Sequence, residues 1–202
     1  MTAISSAQNA AMRIEIAKMQ PGLAPEGFTF WRTGQGEVGE WRVVTDATAA
    51  TQVAIAQTSK DKTDYRFPLA VYQPVSARNV EVAVRFKPVA GAVDQAGGIA
   101  VRLSTPDDYY VVRANALEDN VNFYRVVKGR RSQIKGADTK VASGQWHTLA
   151  LRAEGDRFTV TFDGKPLFTA EDKTFGEAGK VALWTKADSV THFDTISITP
   201  LE

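Results

Sequence analysis

The chain has 202 residues, 44% of them hydrophobic and 23% charged, with a formal net charge of +1. That length predicts one domain with a sizeable core. The near-neutral charge gives no bulk attraction to nucleic acid or anionic membrane. No apolar run approaches the roughly 18 residues of a membrane helix. Cysteine is absent, which excludes disulfides, thiolate metal sites and cysteine nucleophiles together.

In chain order, residues 6–19 are rich in Ala, Gln, Met, Glu and Lys, with Met12, Ile16 and Met19 on one stripe. This predicts a short helix that ends at Pro21-Gly22. The opening segment has no basic stretch followed by a long apolar core, so it does not read as an intact leader. A mature chain that starts after a removed leader would read the same way. Residues 1–24 are therefore set apart as an N-terminal segment, and 25–202 as a single domain.

From Phe28 the pattern becomes short runs of β-branched and aromatic residues broken by turns. In Val80–Lys87 the valines and Phe86 share one face, opposite Glu81, Arg85 and Lys87. Ile99, Val101 and Leu103 oppose Ala100, Arg102 and Ser104. Tyr110, Val112 and Ala114 oppose Tyr109, Val111, Arg113 and Asn115. Phe158, Val160 and Phe162 oppose Arg157, Thr159, Thr161 and Asp163. Each of these strands reads as half-buried. Further strands are predicted near 40–45, 51–57, 66–72, 121–128, 145–152, 166–170, 179–186 and 189–198. Thr105–Asp108, Lys128-Gly129, Gly155-Asp156 and Asp163-Gly164 supply turns, the last a hairpin turn that needs positive φ. About a dozen closely spaced strands predict an all-β antiparallel sandwich or barrel.

Three segments, "GGIAVRL…DDYYVVRANALEDNVNFYRV", "GQWHTLALRAEGDRFTVTFDGKPLF" and "GKVALWTKADSVTHFDTISI", carry a resemblance over roughly residues 25–200. They resemble the concanavalin A-like lectin/glucanase superfamily, with laminin G-like and 3-keto-disaccharide hydrolase-like bacterial domains as the nearest forms. The resemblance implies a jelly roll of two curved sheets, a saccharide or glycoside held on the concave face, and an exported, periplasmic or secreted location. A cytoplasmic location stays open, since lack of cysteine fits either compartment.

The glucanase branch uses a Glu-x-Asp-x-x-Glu run that sets two carboxylates on one strand face for acid and nucleophile. No such run exists here, so retaining glucanase chemistry is not expected. His192 and Asp194 share parity near the C-terminus and are the candidate metal pair, although no third ligand at motif spacing argues for zinc. The resemblance also implies a structural Ca²⁺ on the convex side, with Asp194 as its acid and Glu37 or Asp46 as partner. The plainer alternative is an aspartate that caps a turn or pairs with a lysine. His147 reads as a hydrogen-bonded structural residue.

Arg85, Arg102 and Arg113, with Asn115, all oppose core residues and would form a row across one sheet face. On a convex face such a row is solvated, with Glu81 or Glu118 as ion-pair partners. On a concave face it is a floor that hydrogen-bonds sugar hydroxyls. Trp184 and Lys186 share one parity, and Tyr109, Tyr72 and Tyr124 fall on the polar parity of their runs. Trp184 is either a sugar platform or a tryptophan shared between the sheets. Trp31, Trp41 and Trp146 read as structural. The candidate ligand set is Arg85, Arg102, Arg113, Asn115, Tyr124, Trp184 and Lys186. The basic run "KGRRSQIKG" (128–136) reads as a solvated hairpin tip and no nucleic-acid partner is expected. Three functions remain: a saccharide-binding module, a 3-keto-disaccharide hydrolase-like enzyme, and a laminin G-like interaction module without glycan.

Overall fold

The computed structural model describes residues 10–202. The chain opens with β1 (Met12–Arg13), a 3-10 turn (Ile16–Lys18), β2 (Phe28–Gly34), β3 (Trp41–Thr45), β4 (Val53–Gln57) and β5 (Arg66–Ala77). It continues through β6 (Val80–Ala90), β7 (Ala96–Thr105), β8 (Asp108–Asn115), β9 (Asn120–Val127) and β10 (Arg130–Asp138). The last third holds β11 (His147–Glu154), β12 (Arg157–Phe162), β13 (Lys165–Glu171), β14 (Gly179–Trp184) and β15 (Val190–Pro200). These form two antiparallel sheets, one ordered β13-β12-β11-β6-β15-β4-β3 with β1 added beside β15, the other β10-β9-β8-β7-β14-β5-β2. The all-β sandwich is the predicted one. Among the described residues no helix is long and apolar enough to cross a membrane.

The main core lies between the sheets. It takes Val80, Val82, Val84 and Phe86 from β6, Phe158, Val160 and Phe162 from β12, and Ile99, Val101, Tyr110, Val112 and Phe123 from the facing sheet. In β6 buried and part-buried residues alternate, as the parity reading requires. Asp163 and Gly164 both have positive φ, 46° and 75°, which makes the predicted hairpin turn.

Four expectations need correction. The N-terminal helical segment is shorter than predicted, and residues 1–9 lie outside the described part. Met12 and Arg13 instead pair with Ile198 and Ser197 of β15, and only Ile16–Lys18 make a helical turn. A short isolated helix is marginal in water, whereas strand pairing plus burial of Ile16 and Met19 is cooperative with the core. The basic run is no mere solvated tip, because residues 130–138 form the edge strand β10. Strands β7 and β8 are buried on both faces, not one. The arginine row does not form.

The double burial of β7 and β8 comes from the curl of the seven-stranded sheet, while the row fails because Arg85 stands on the other sheet and Arg102 in a bulge. Arg131 on β10 and Phe67 on β5 are five strand steps apart, about 24 Å in a flat sheet. Yet the Arg131 guanidinium carbon stands 4.9 Å from the Phe67 ring centre. The Tyr65 hydroxyl donates to the Gly129 carbonyl and accepts from the Arg131 amide, each at 2.9 Å. The outer face of this sheet is therefore the concave one, rolled until its two sides touch. A second apolar cluster fills the roll: Phe67, Leu69, Val71, Tyr109, Val111, Tyr124, Val126 and Trp184.

Candidate functional site

The three arginines go to three different places. Arg85 stands on β6 of the other sheet, bonded to Asp194 at 2.6 Å and stacked on Trp146 with its guanidinium carbon 4.7 Å from the ring centre. Arg102 has φ 52° and sits in a β-bulge, where the β7–β8 register shifts between Val101 and Thr105. The bulge turns its side chain off the concave face to the end of the main core. There its guanidinium lies against Phe158 and Tyr110, and it donates to the carbonyls of Arg78 (2.8 Å), Phe175 (2.7 Å) and Gly155. The opposing strand must come close, and Gly179 permits it, since a Cβ there would stand 2.4 Å from the Arg102 carbonyl carbon. Only Arg113 of the three faces the concave side.

Arg113 is part of a polar cluster on the concave face, at the end of the roll where Glu118 and Asp64 reach solvent. Strands β8 and β9 pair Arg113 with Asn122 and Asn115 with Asn120, so four hydrogen-bonding side chains share one face. Gly98 of β7 lies beside Arg113, and a Cβ there would meet the Val112 carbonyl oxygen at 2.6 Å. Arg113 donates to Glu118 at 2.7 Å, to the Tyr124 hydroxyl at 3.1 Å and to the Asn120 side chain. Asn122 also donates to the Tyr124 hydroxyl at 3.1 Å. Lys186, just past β14, bridges Asp94 at 2.9 Å and Asp64 at 2.7 Å. Asn115 ties the two halves together, because its amide donates to Asp94 at 2.8 Å.

The charges are held against a strong desolvation cost. Burial pushes the Asp94 carboxyl up from the ordinary aspartate value, and Lys186 pulls only partly against it. Burial would lower the Lys186 ammonium, but its bonds to Asp64 and Asp94 outweigh that and hold it above the usual lysine range. Burial likewise opposes ionisation of Glu118, and Arg113 with Asn120 reverses the balance, leaving its carboxyl below the ordinary value.

Two buried ions position the loops without facing the site. Asp188 accepts from the amides of Ala92, Val93 and Asp94 at 2.8–3.0 Å, which fixes the loop that carries Asp94. Arg66, with no exposed surface, donates to the carbonyls of Glu37 (2.7 Å) and Ala187 (2.6 Å) and to the Ser59 hydroxyl (3.0 Å). It thus joins three loops, one of them bearing Lys186. An open groove of about 1010 Å³ lies along two of these loops, lined by Glu37, Glu40, Thr58, Ser59, Lys60 and Asp61.

Of the predicted ligand set, Arg113, Asn115, Tyr124 and Lys186 come together. Trp184 is on the same sheet face but fully buried, stacked on Phe67 at 5.3 Å between ring centres and covered by Arg131. Asp94, Asp64, Asn122 and the positioning pair Asp188 and Arg66 were missed. Glu118 was foreseen only as an ion-pair partner.

The candidate metal pair sits on the outer face of the other sheet. His192 bonds Asp46 at 2.7 Å through Nδ1, while Asp194 accepts from Arg85 and from the Ala50 amide at 2.7 Å. Lys87 also pairs with Asp46. Each carboxylate that the metal reading needs already faces a cation, and among the described residues no three His, Asp or Glu side chains are grouped as ligands. Glu37 accepts from Arg66 through its main-chain carbonyl.

Residues 40–201 match the family model described as the galactocerebrosidase C-terminal lectin domain. The chain belongs to that family. As in the superfamily resemblance, this lectin-domain chain is a jelly roll, and solved structures share its fold. Carbohydrate-binding module CBM66 from Bacillus subtilis is 20% identical, with a TM-score of 0.66 over 84% of this chain and 94% of that one. A β-glucanase from Bacillus licheniformis is 13% identical, with a TM-score of 0.60 over 95% and 98%. Domain 4 of AbnA, an extracellular arabinanase from Geobacillus stearothermophilus, in complex with arabinotriose, is 15% identical, with a TM-score of 0.56 over 85% and 82%. No curated protein matches the lectin-domain chain in sequence.

Proposed function

We propose that this lectin-domain module is a carbohydrate-binding one and that it holds saccharide at the open end of the rolled sheet. Asp64, Glu118, Lys186 and Asn122 form the contact surface, with Arg113 and Asn115 holding them from beneath. The observation that carries this reading is the buried Asp94–Lys186 pair, fastened to Asn115 and adjoining Arg113 on the concave face. A buried ion network of this kind is costly to assemble, and it pre-orients the free lone pairs of Asp64 and Glu118 and the third proton of Lys186 for hydroxyl groups, each of which can give one hydrogen bond and accept others. Two family names support the class of ligand: the lectin domain to which the chain belongs and the carbohydrate-binding module that shares its fold. Export is the location that goes with this reading.

The glycoside-cleaving alternative needs a carboxyl free to move a proton at the reacting bond. Here Asp94 is engaged by Lys186 and Asn115, and Glu118 by Arg113, so binding is the better-supported reading. The test is titration with oligosaccharides found on a glycan array. Lys186→Met should weaken binding about tenfold or more, as expected for loss of a charged hydrogen bond. Arg85→Ala, on the other sheet, should leave affinity within about twofold. An empty array, or the reverse ranking of the two variants, would overturn the reading, the first outcome in favour of a laminin G-like module without glycan.

A further inference from the structure

The polar cluster is layered by charge. Its cations lie deep, with Arg113 4% and Lys186 15% exposed at the side chain. Above them stand the carboxylates of Glu118, 48% exposed, and Asp64, 74% exposed. The third anion, Asp94, is 2% exposed beneath Lys186. A ligand that enters the open end therefore meets acceptor oxygens first, and the ammonium and guanidinium beneath are already neutralised by them.

Resting on the reading above, we propose that this site selects neutral saccharides and rejects uronic, sialic and sulfated ones. The exposed carboxylates accept hydrogen bonds from sugar hydroxyls, an acyl or sulfate oxyanion offers none, and it brings a like charge against Glu118 and Asp64. Like charges brought together at an interface are a recognised means of excluding the wrong partner. To bind an anionic sugar the site must first break the Lys186–Asp64 or the Arg113–Glu118 pair, which leaves a carboxylate without its partner. A neutral polyol needs neither step. It can accept from the remaining Lys186 proton or from Asn122 and donate to either carboxylate without displacing an ion pair.

The experiment compares neutral gluco-, galacto-, fructo- and arabino-oligosaccharides with oligogalacturonides, sialyl-oligosaccharides and sulfated galactans at low salt. The parent protein should prefer the neutral class by about tenfold or more. The Asp64→Asn/Glu118→Gln double variant should lower or reverse that preference by a similar factor, since the cations beneath are then uncovered. Asp64→Asn alone, at the more exposed position, serves if the double variant unfolds, and should shift the ratio in the same direction. Equal or better binding of acidic sugars by the parent, or an unchanged ratio in the variants, would overturn the selection while leaving saccharide binding in place. Binding of neither class would overturn the functional reading and the selection with it.

Discussion

Replacing Arg102 by alanine should unfold the sandwich more readily and leave the proposed saccharide site intact. Three carbonyls, of Arg78, Gly155 and Phe175, lose a charged donor at once. Hydrogen bonds to a charged group contribute about 1.5–3 kcal/mol each, but they are not additive, and water can reach part of the space left behind. The side chain also leaves its place against the rings of Phe158 and Tyr110, 5.1 and 5.9 Å from its guanidinium carbon. A net loss of about 3–5 kcal/mol is the working figure, within the range of severe single substitutions. For a domain of this length each kcal/mol moves the melting midpoint by about 2–4 °C, so the midpoint should fall by about 6–20 °C. Urea and thermal unfolding measure the loss. Titration at a temperature where both proteins are folded should show affinity within about twofold of the parent. A midpoint that falls less than about 2 °C while saccharide binding disappears would refute the argument and restore Arg102 to the ligand floor.

Two further outcomes follow from neighbouring parts of the structure. Trp184→Ala should cost about 3–5 kcal/mol in urea unfolding, because a fully buried ring leaves a cavity against Phe67, and Trp184→Phe should recover much of it; a cost below about 1 kcal/mol would contradict this structural role. The Asp61 carboxyl is held down at about 2 by the amides of Glu37 and Thr63 and by the Thr63 hydroxyl. A depressed folded value means that its contribution is complete above the unfolded value near 3.8 and fades as pH falls through about 2. Protection factors of the Glu37 and Thr63 amides, taken against the intrinsic exchange rate at each pH, should accordingly hold at pH 5 and fall between about pH 4 and 2, and loss of protection already at pH 5 would contradict the assignment.

The half of the fold that was legible in the sequence is the half buried on one side. Strands β6 and β12 alternate apolar and polar residues because one face meets the other sheet and one meets water. The curl of the second sheet is set by contacts between distant strands, Tyr65 with Gly129 and Arg131 with Phe67, and local periodicity carries no trace of it. "DYYVVRAN" did hold a clue, since a strand with Tyr109, Val111 and Arg113 on its supposedly wet side is poorly suited to water. The Ala-, Gln- and Glu-rich N-terminus favours helix by intrinsic propensity, and tertiary pairing with β15 overrides it. That Arg113, Asn115 and Tyr124, together with Lys186, group on one face was legible by parity. Asp94, Asp64 and Asp188 stand in loops, where no period reports which way a side chain points.

Arg102 and Arg113 show how one residue type divides between a structural place and the proposed binding site. Both are nearly fully buried, both lie near an aromatic ring, and eleven positions separate them. What distinguishes them is the kind of acceptor. Arg102 donates only to main-chain carbonyls, which belong to turns and strands and cannot turn away without unfolding them. Arg113 donates chiefly to side chains of Glu118, Asn120 and Tyr124, whose oxygens can rotate and exchange one partner for another. A guanidinium locked on carbonyls can only hold the fold. One that shares its protons with mobile oxygens can pass those oxygens to a sugar hydroxyl and take the ligand's oxygen in return, without leaving a buried group unpaired. The bulge at Arg102 separates the two positions, because without its positive φ both side chains would have faced the same concave surface.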